Sequence, residues 1–139
     1  MRKSFVDTSV VLRLLFNEPE SLQSLQFGEN TFASELLSVE VRRAFDRIRL
    51  SGRINDALLA KFHVELSHIE RGYNEIKLSS AILKRASMPM STTTKTLDAI
   101  HIASALVLRE RGEPNVDFVT HDIKQARAAQ SLGFNVVGI

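Results

Sequence analysis

The stretch "SFVDTSVVLRLL", residues 4–15, passes from a short apolar segment into a helix-like pattern through one carboxylate. Two apolar residues precede Asp7, and the small hydroxyl residues Thr8 and Ser9 follow it before a run of aliphatic side chains. The pattern predicts a short buried strand that ends at Asp7 and a helix that starts directly after it. A carboxylate at the end of a buried strand needs an explanation. The rest of the chain contains other carboxylates that could share a site with it.

Strand-like and helix-like segments alternate along the whole chain. The expected strands are 3–6, 31–33, 75–78, 116–120 and 135–137. The expected helices are 8–16, 21–27, 35–50, 56–67, 80–86, 97–111 and 122–132. This alternation predicts an α/β fold with three layers, α/β/α, around a central and mostly parallel sheet. With no repeat or linker-like stretch, we expect residues 1–139 to form a single domain.

Composition excludes several classes of protein. The chain has 139 residues, 44% of them hydrophobic, and no cysteine, so it has no disulfide, thiol nucleophile or cysteine-based zinc site. Its apolar runs are shorter than the ~20 residues of a membrane span, and no signal-peptide pattern precedes the first strand. We therefore expect a cytoplasmic protein that does not bind membranes. The net charge of +2 favours an anionic partner only weakly.

Four carboxylates are candidates for one site: Asp7, Glu40, Asp98 and Asp122. In parallel sheets, ligands bind beyond the carboxyl ends of the strands, where Asp7 and Asp122 are expected. Glu40 lies at the edge of a buried helical stripe, and Asp98 starts a helix that is apolar nearly all round.

Each carboxylate also has a purely structural interpretation. Asp7 and Asp122 suit the N-cap position, and Asp98 suits the positive end of a helix dipole. Glu40 could pair with Arg43 one turn later on its helix. His101 is interpreted as a hydrogen-bonded packing residue, outside the site.

Convergence of the four carboxylates would imply a metal ion, because their mutual repulsion otherwise raises their pKa values. Oxygen ligands without cysteine or a histidine cluster favour Mg²⁺ or Mn²⁺. Two such ions ~3.5–4 Å apart can activate a water and stabilise the leaving oxygen of a phosphodiester. The hydroxyls of Thr8, Ser9 and Thr120 could orient a metal-bound water or a phosphate oxygen.

Four segments together resemble PIN domains, and most of all the VapC toxins of bacterial and archaeal toxin–antitoxin pairs. They are "FVDTSVVLRLL" (5–15), "SELLSVEVRRAF" (34–45), "LDAIHIASAL" (97–106) and "FVTHDIKQARAAQSLGFNV" (118–136). The resemblance implies a metal-dependent endoribonuclease that uses one or two Mg²⁺ or Mn²⁺ ions. Its metal ligands map to Asp7, Glu40, Asp98 and Asp122, with support from Thr120 or Ser9. It also implies a VapB-like antitoxin, a homodimer, and structured RNA such as tRNA as substrate.

Basic and apolar residues suggest where such partners would bind. Seven cations are either phosphate contacts or ordinary solvated charges: Arg42, Arg43, Arg47, Arg49, Lys95, Lys124 and Arg127. The first helix is richer in apolar residues, over 10–16, than a single core-facing stripe requires. Its surplus could accept an antitoxin helix in a groove.

Other functions remain open at this point. A haloacid-dehalogenase-like phosphatase would form an aspartyl phosphate on Asp7, but Ser9 occupies the position of its second aspartate. A receiver-type signalling module needs an early acidic pair and a late lysine that the chain lacks. A PIN-like scaffold that binds RNA without cutting it, or a housekeeping PIN nuclease with no toxin role, is compatible with the same residues.

Overall fold

Five short parallel strands form the central sheet of the computed structural model, which describes residues 2–22 and 25–139. The strands are β1 (Ser4–Val6), β2 (Thr31–Ser34), β3 (Asn74–Ile76), β4 (Asp117–Val119) and β5 (Val136–Val137). Their order across the sheet is β3-β2-β1-β4-β5, which places β1 in the middle. All four neighbouring pairs are parallel, so the carboxyl ends of the strands lie at one edge.

Six helices in the described residues connect these strands. They are α1 (Thr8–Leu15), α2 (Leu36–Leu50), α3 (Asp56–Gly72), α4 (Ser80–Ala86), α5 (Thr96–Arg111) and α6 (Ile123–Ser131). Most observed elements agree with the predicted ones within two residues at each end. The parallel α/β architecture predicted from the sequence is confirmed.

The predicted helix at 21–27 is wrong where the structure describes it. Gln23 and Ser24 lie outside the described residues, and the remaining five residues of the segment have no helical structure. The chain enters this segment through Glu20, which has a left-handed φ of 64°. Leu22, Leu25 and Phe27 pack against the core from residues that are not helical, so tertiary burial prevails over local helical pattern.

Helix α3 is longer than predicted and ends at Gly72 instead of near residue 67. Leu66 and Ile69 continue its apolar face into the core, which extends the helix by more than a turn. A Cβ on Gly72 would lie 2.0 Å from the carbonyl oxygen of Phe27. Glycine is therefore required where α3 meets the backbone of the 25–30 segment.

The core is divided by the sheet into two apolar clusters. Val6 packs with α1, α2 and α3 on one face, whereas its neighbour Phe5 packs with α5 and α6 on the other. Successive strand residues point to opposite faces, so the three residues of β1 support both layers. Within residues 2–22 and 25–139, no helix has the length and apolar character to cross a bilayer.

Candidate functional site

Asp7 lies at the carboxyl end of the central strand and is the most buried of the four carboxylates, with 4% of its surface exposed. Its Oδ1 accepts hydrogen bonds from the Ser9 amide at 3.1 Å and the Ser9 hydroxyl at 2.6 Å. Its Oδ2 accepts one from the Thr120 hydroxyl at 2.6 Å. Burial raises the pKa of Asp7, and these hydrogen bonds oppose that rise. Asp7 is thus both the N-cap of α1 and a carboxyl group fixed by three donors.

Two hydroxyls join the end of β1 to the end of β4. The Ser9 hydroxyl accepts the His121 amide at 2.9 Å, and the fully buried Thr120 hydroxyl accepts the Asp122 amide at 3.0 Å. Asp122 in turn caps α6, accepting the amides of the second and third residues after it at 2.9 and 3.2 Å. The loops after two adjacent strands are therefore cross-linked around Asp7.

Glu40 points inward from the second turn of α2, and its side chain is 23% exposed. Its Oε1 accepts the Thr8 hydroxyl at 2.6 Å and lies 2.5 Å from Nε2 of His101. Burial acts to raise the pKa of Glu40, but the hydrogen bonds from His101 and Thr8, with the charge of Arg47, lower it. Arg43 bonds to Asp46, so the structure does not contain the helical Glu40–Arg43 pair that was the alternative interpretation.

His101 is the site residue that sequence reasoning left out. It is 2% exposed, lies on α5, and contacts both Glu40 and the hydroxyl of Thr8, the latter at 3.3 Å. The available signal was a single imidazole one turn after Asp98 on a helix that is otherwise apolar. That signal does not identify its partners, which come from α1 and α2.

Asp98 is half-buried in the first turn of α5. Burial raises its pKa, and the charges of Asp122, Asp7 and Glu40 raise it further, while His101 opposes them. The charges of the other three predicted carboxylates therefore all act on Asp98. Asp98 also lines a cavity of about 90 Å³ with Asp122. That volume corresponds to roughly three water molecules.

The carboxylate oxygens and hydroxyls of the site form a donor set suited to a hard cation. In the part of the chain that the structure describes, no three His, Asp or Glu side chains lie together in a group that could hold a metal ion by themselves. Mg²⁺ commonly keeps several of its waters and takes only one or two carboxylates. The mutual repulsion felt at Asp98 and its open cavity fit such a partly hydrated ion.

Cations at the rim of the site differ from those elsewhere on α2. Arg42 pairs with Glu70 at 2.7 Å, and Arg49 pairs with Asp46 at 2.8 Å. By contrast, Lys95 and Lys124 line the cavity of Asp98 and Asp122, and Arg47 acts on Glu40. Among residues 2–22 and 25–139, no ion pair contains Arg47, Lys95 or Lys124.

The apolar residues of α1 mostly serve the core. Val10, Val11 and Leu15 are buried, and Leu12 and Phe16 pack against the same cluster. The predicted apolar surplus on this helix is therefore largely covered within the chain. The well-exposed large apolar side chains of the described residues lie elsewhere, as at Val39, Val64 and Leu97.

Comparison with known proteins gives the family. The PIN domain family model matches residues 4–131. The chain is 26% identical to Ribonuclease VapC47 of Mycobacterium tuberculosis (strain CDC 1551 / Oshkosh) over 137 residues, which is 94% of this chain and 92% of the relative.

Two solved structures share the fold. A toxin–antitoxin complex from Klebsiella pneumoniae contains a chain that is 19% identical, with a TM-score of 0.64 over 97% of this chain and 96% of that one. A crystal structure of a protein from Pyrobaculum aerophilum is 17% identical, with a TM-score of 0.65 over 98% of this chain and 84% of that one. With the family model spanning nearly all of the sheet and its helices, the chain belongs to the PIN domain family.

Proposed function

We propose that this PIN domain is a metal-dependent endoribonuclease of the VapC type, which hydrolyses RNA phosphodiester bonds and is neutralised by a VapB-like antitoxin. The observation that supports the proposal is that Asp98 and Asp122 line one cavity, while the charges of Asp7, Glu40 and Asp122 all act on Asp98. The ribonuclease named among its relatives spans nearly the whole chain and supports the same activity.

The four carboxylates would hold one or two Mg²⁺ or Mn²⁺ ions. When bound, such an ion supplies an activated water at neutral pH and polarises the phosphoryl oxygens. Ser9 and Thr120 hold the carboxylate of Asp7 in one orientation through their hydroxyls. Thr8 holds the carboxylate of Glu40 through its hydroxyl in the same way. No covalent intermediate with the protein is required.

RNA must approach a negatively charged pocket, and the rim cations offset that repulsion. Lys95 and Lys124 border the cavity of Asp98 and Asp122, and Arg47 stands near Glu40. In this proposal they bind phosphates on either side of the scissile bond and set the register of the strand without reading its sequence. A structured RNA such as tRNA, in the cytoplasm, is the proposed substrate.

The proposed partner is an antitoxin, and the proposed assembly of residues 1–139, taken as one domain, is a homodimer. The structural neighbour from Klebsiella pneumoniae was solved as a toxin–antitoxin complex, which supports this class of partner. Because α1 is largely covered by the core, we place the antitoxin contact on other exposed apolar side chains.

The two rivals outside the PIN family are disfavoured. A phosphatase of the haloacid-dehalogenase type and a receiver module each belong to another family, whereas this chain belongs to the PIN domain family. A receiver-type sheet has the strand order 2-1-3-4-5, whereas this sheet has the order β3-β2-β1-β4-β5. The PIN-like scaffold that only binds RNA remains the competing hypothesis.

The decisive experiment compares cleavage of total RNA and of labelled oligonucleotides by the wild type and Asp98→Asn. Reactions contain Mg²⁺, Mn²⁺ or EDTA. We expect cleavage by the wild type with either metal, none with EDTA, and a loss of at least about a hundredfold for Asp98→Asn. Asp56→Asn is the matched control, since Asp56 is an exposed aspartate in the first turn of another helix. RNA binding without cleavage by well-folded wild type, in either metal, would favour the scaffold instead.

A further inference from the structure

We propose that His101 is a positioning residue that fixes the Glu40 carboxylate, so that one oxygen is held by the protein and the other is presented to the site. The inference rests on the proposed metal-dependent activity, since it gives Glu40 its role. It assigns a function to a buried imidazole that packing alone does not explain.

The geometry shows how one oxygen of Glu40 is fixed. His101 from α5 lies 2.5 Å from Oε1, and the hydroxyl of Thr8 from α1 donates to the same oxygen at 2.6 Å. Nε2 and the Thr8 hydroxyl are themselves 3.3 Å apart, so the two donors stand side by side. In the described part of the chain, no hydrogen bond reaches Oε2 of Glu40. Oε1 is therefore saturated while Oε2 stays available.

The imidazole is held rigidly by its surroundings. His101 is 2% exposed, and its ring packs edge-on against Phe5 of the central strand with the ring centroids 6.4 Å apart. The next residue of α5, Ile102, is fully buried in the same layer. A hydrogen-bond donor on a side chain that is packed in this way can hold the Glu40 carboxylate with the precision that a metal or catalytic site requires.

The nitrogen on the other side of the ring shows that the imidazole is not simply a filler. Nδ1 of His101 is buried and has no hydrogen-bond partner in the structure. Because an ionised carboxylate only accepts hydrogen bonds, Nε2 is the nitrogen that donates to Glu40. An aliphatic side chain would fill the same space with no unpaired nitrogen. The bond to Glu40 therefore accounts for the imidazole where packing alone does not.

Glu40 needs this support because it lacks what the other three carboxylates have. Asp7 and Asp122 are N-caps, and Asp98 lies in the first turn of its helix, so helix N-termini favour all three charges. Glu40 lies in the second turn of α2 on a longer side chain with more rotamers. His101 and Thr8 replace the missing N-terminus with two side-chain donors.

A double-mutant cycle tests the inference. His101→Leu fills the site without a donor, His101→Gln restores a donor, and each is made in the wild type and in a Glu40→Gln background. The readouts are Mn²⁺ affinity by calorimetry and kcat at saturating RNA, with Ile102→Val as the control for altered packing of α5. Outer-shell partners of metal ligands commonly affect affinity or activity 10–100-fold. We expect His101→Leu to lower both readouts at least about tenfold, with partial recovery in His101→Gln.

The cycle separates positioning from general structural damage. If His101 acts through Glu40, His101→Leu has no further effect on Mn²⁺ affinity in the Glu40→Gln background. An equal loss in both backgrounds, or wild-type Mn²⁺ affinity in His101→Leu, would overturn the inference. Thr8→Val removes the neighbouring donor and gives the same comparison should the His101 variants unfold. A wild type that binds Mn²⁺ but cleaves no RNA would refute the proposed function, while the affinity cycle still decides the role of His101.

Discussion

Replacing Thr120 by valine would keep the shape of the side chain but remove a hydrogen bond to a buried carboxylate and the acceptor of the Asp122 amide. Thr120 is fully buried, and its hydroxyl donates to Oδ2 of Asp7 at 2.6 Å, a length typical of an O–H···O⁻ bond. Hydrogen bonds to charged groups contribute about 1.5–3 kcal/mol. We therefore expect the free energy of unfolding of Thr120→Val at pH 7 to fall by at least about that amount, with the lost acceptor of the Asp122 amide adding a part that does not change with pH.

The loss of stability in Thr120→Val should grow as the pH rises. The pKa of Asp7 is raised by burial against the opposing bonds from Ser9 and Thr120, so removing one bond raises it further. Because the folded pKa exceeds the unfolded value of about 3.9, the contribution of Asp7 to stability is complete below that value. It is lost as the pH rises through the folded pKa. The deficit of Thr120→Val is thus smallest in acid and largest at neutral pH.

Urea unfolding between pH 4 and pH 8 measures this deficit, and RNA cleavage over the same range measures its effect on activity. Thr120→Ser is the control: it keeps the hydroxyl and loses one buried methyl group, at a cost of about 1 kcal/mol that does not change with pH. The acid limb of the cleavage profile should move to higher pH in Thr120→Val alone. A deficit that is the same at pH 4 and pH 7, or below about 0.5 kcal/mol throughout, would refute the reasoning.

Two further predictions concern the charges of the site. Asp98→Asn should raise the melting temperature at pH 7 in the absence of metal, because burial and the charges of Asp122, Asp7 and Glu40 raise the pKa of Asp98 and make its ionised form unfavourable. This gain in melting temperature should fade as the pH falls below the pKa of Asp98 in the folded protein. A melting temperature that is unchanged at pH 7 would contradict the prediction. Lys95→Ala and Lys124→Ala should each weaken RNA binding for every sequence tested and reduce the slope of log affinity against log salt by about 0.7–0.9. RNA titrations at several salt concentrations measure this slope. An unchanged slope would show that the substituted lysine does not contact RNA phosphates.

The fold and the carboxylates could be predicted because they depend on local signals. Asp7 follows a strand whose residues are apolar on both faces, and Asp122 follows another, so parallel pairing brings both to one edge of the sheet. Glu40 was predicted from its place beside an apolar stripe, and the structure shows it pointing inward to His101 and Thr8. The metal-binding role of these residues stays a prediction.

Features that depend on tertiary contacts could not be predicted in the same way. His101 is 61 residues from Glu40 in sequence, and no periodicity links an imidazole on one helix to a carboxylate on another. The predicted helix at 21–27 contains apolar residues, yet Leu22, Leu25 and Phe27 reach the core from residues that are not helical. In both cases the decisive contacts are with distant parts of the chain.

The structural and functional interpretations of the carboxylates have one physical cause. An N-cap aspartate at a strand end is stabilised by helix amides and by the helix dipole, as at Asp7 and Asp122. The same stabilisation lowers the cost of gathering negative charges before any cation binds. The capping role of an aspartate is therefore no argument against a metal-binding one. Glu40 has no helix N-terminus, and there two side-chain donors, His101 and Thr8, meet the same requirement.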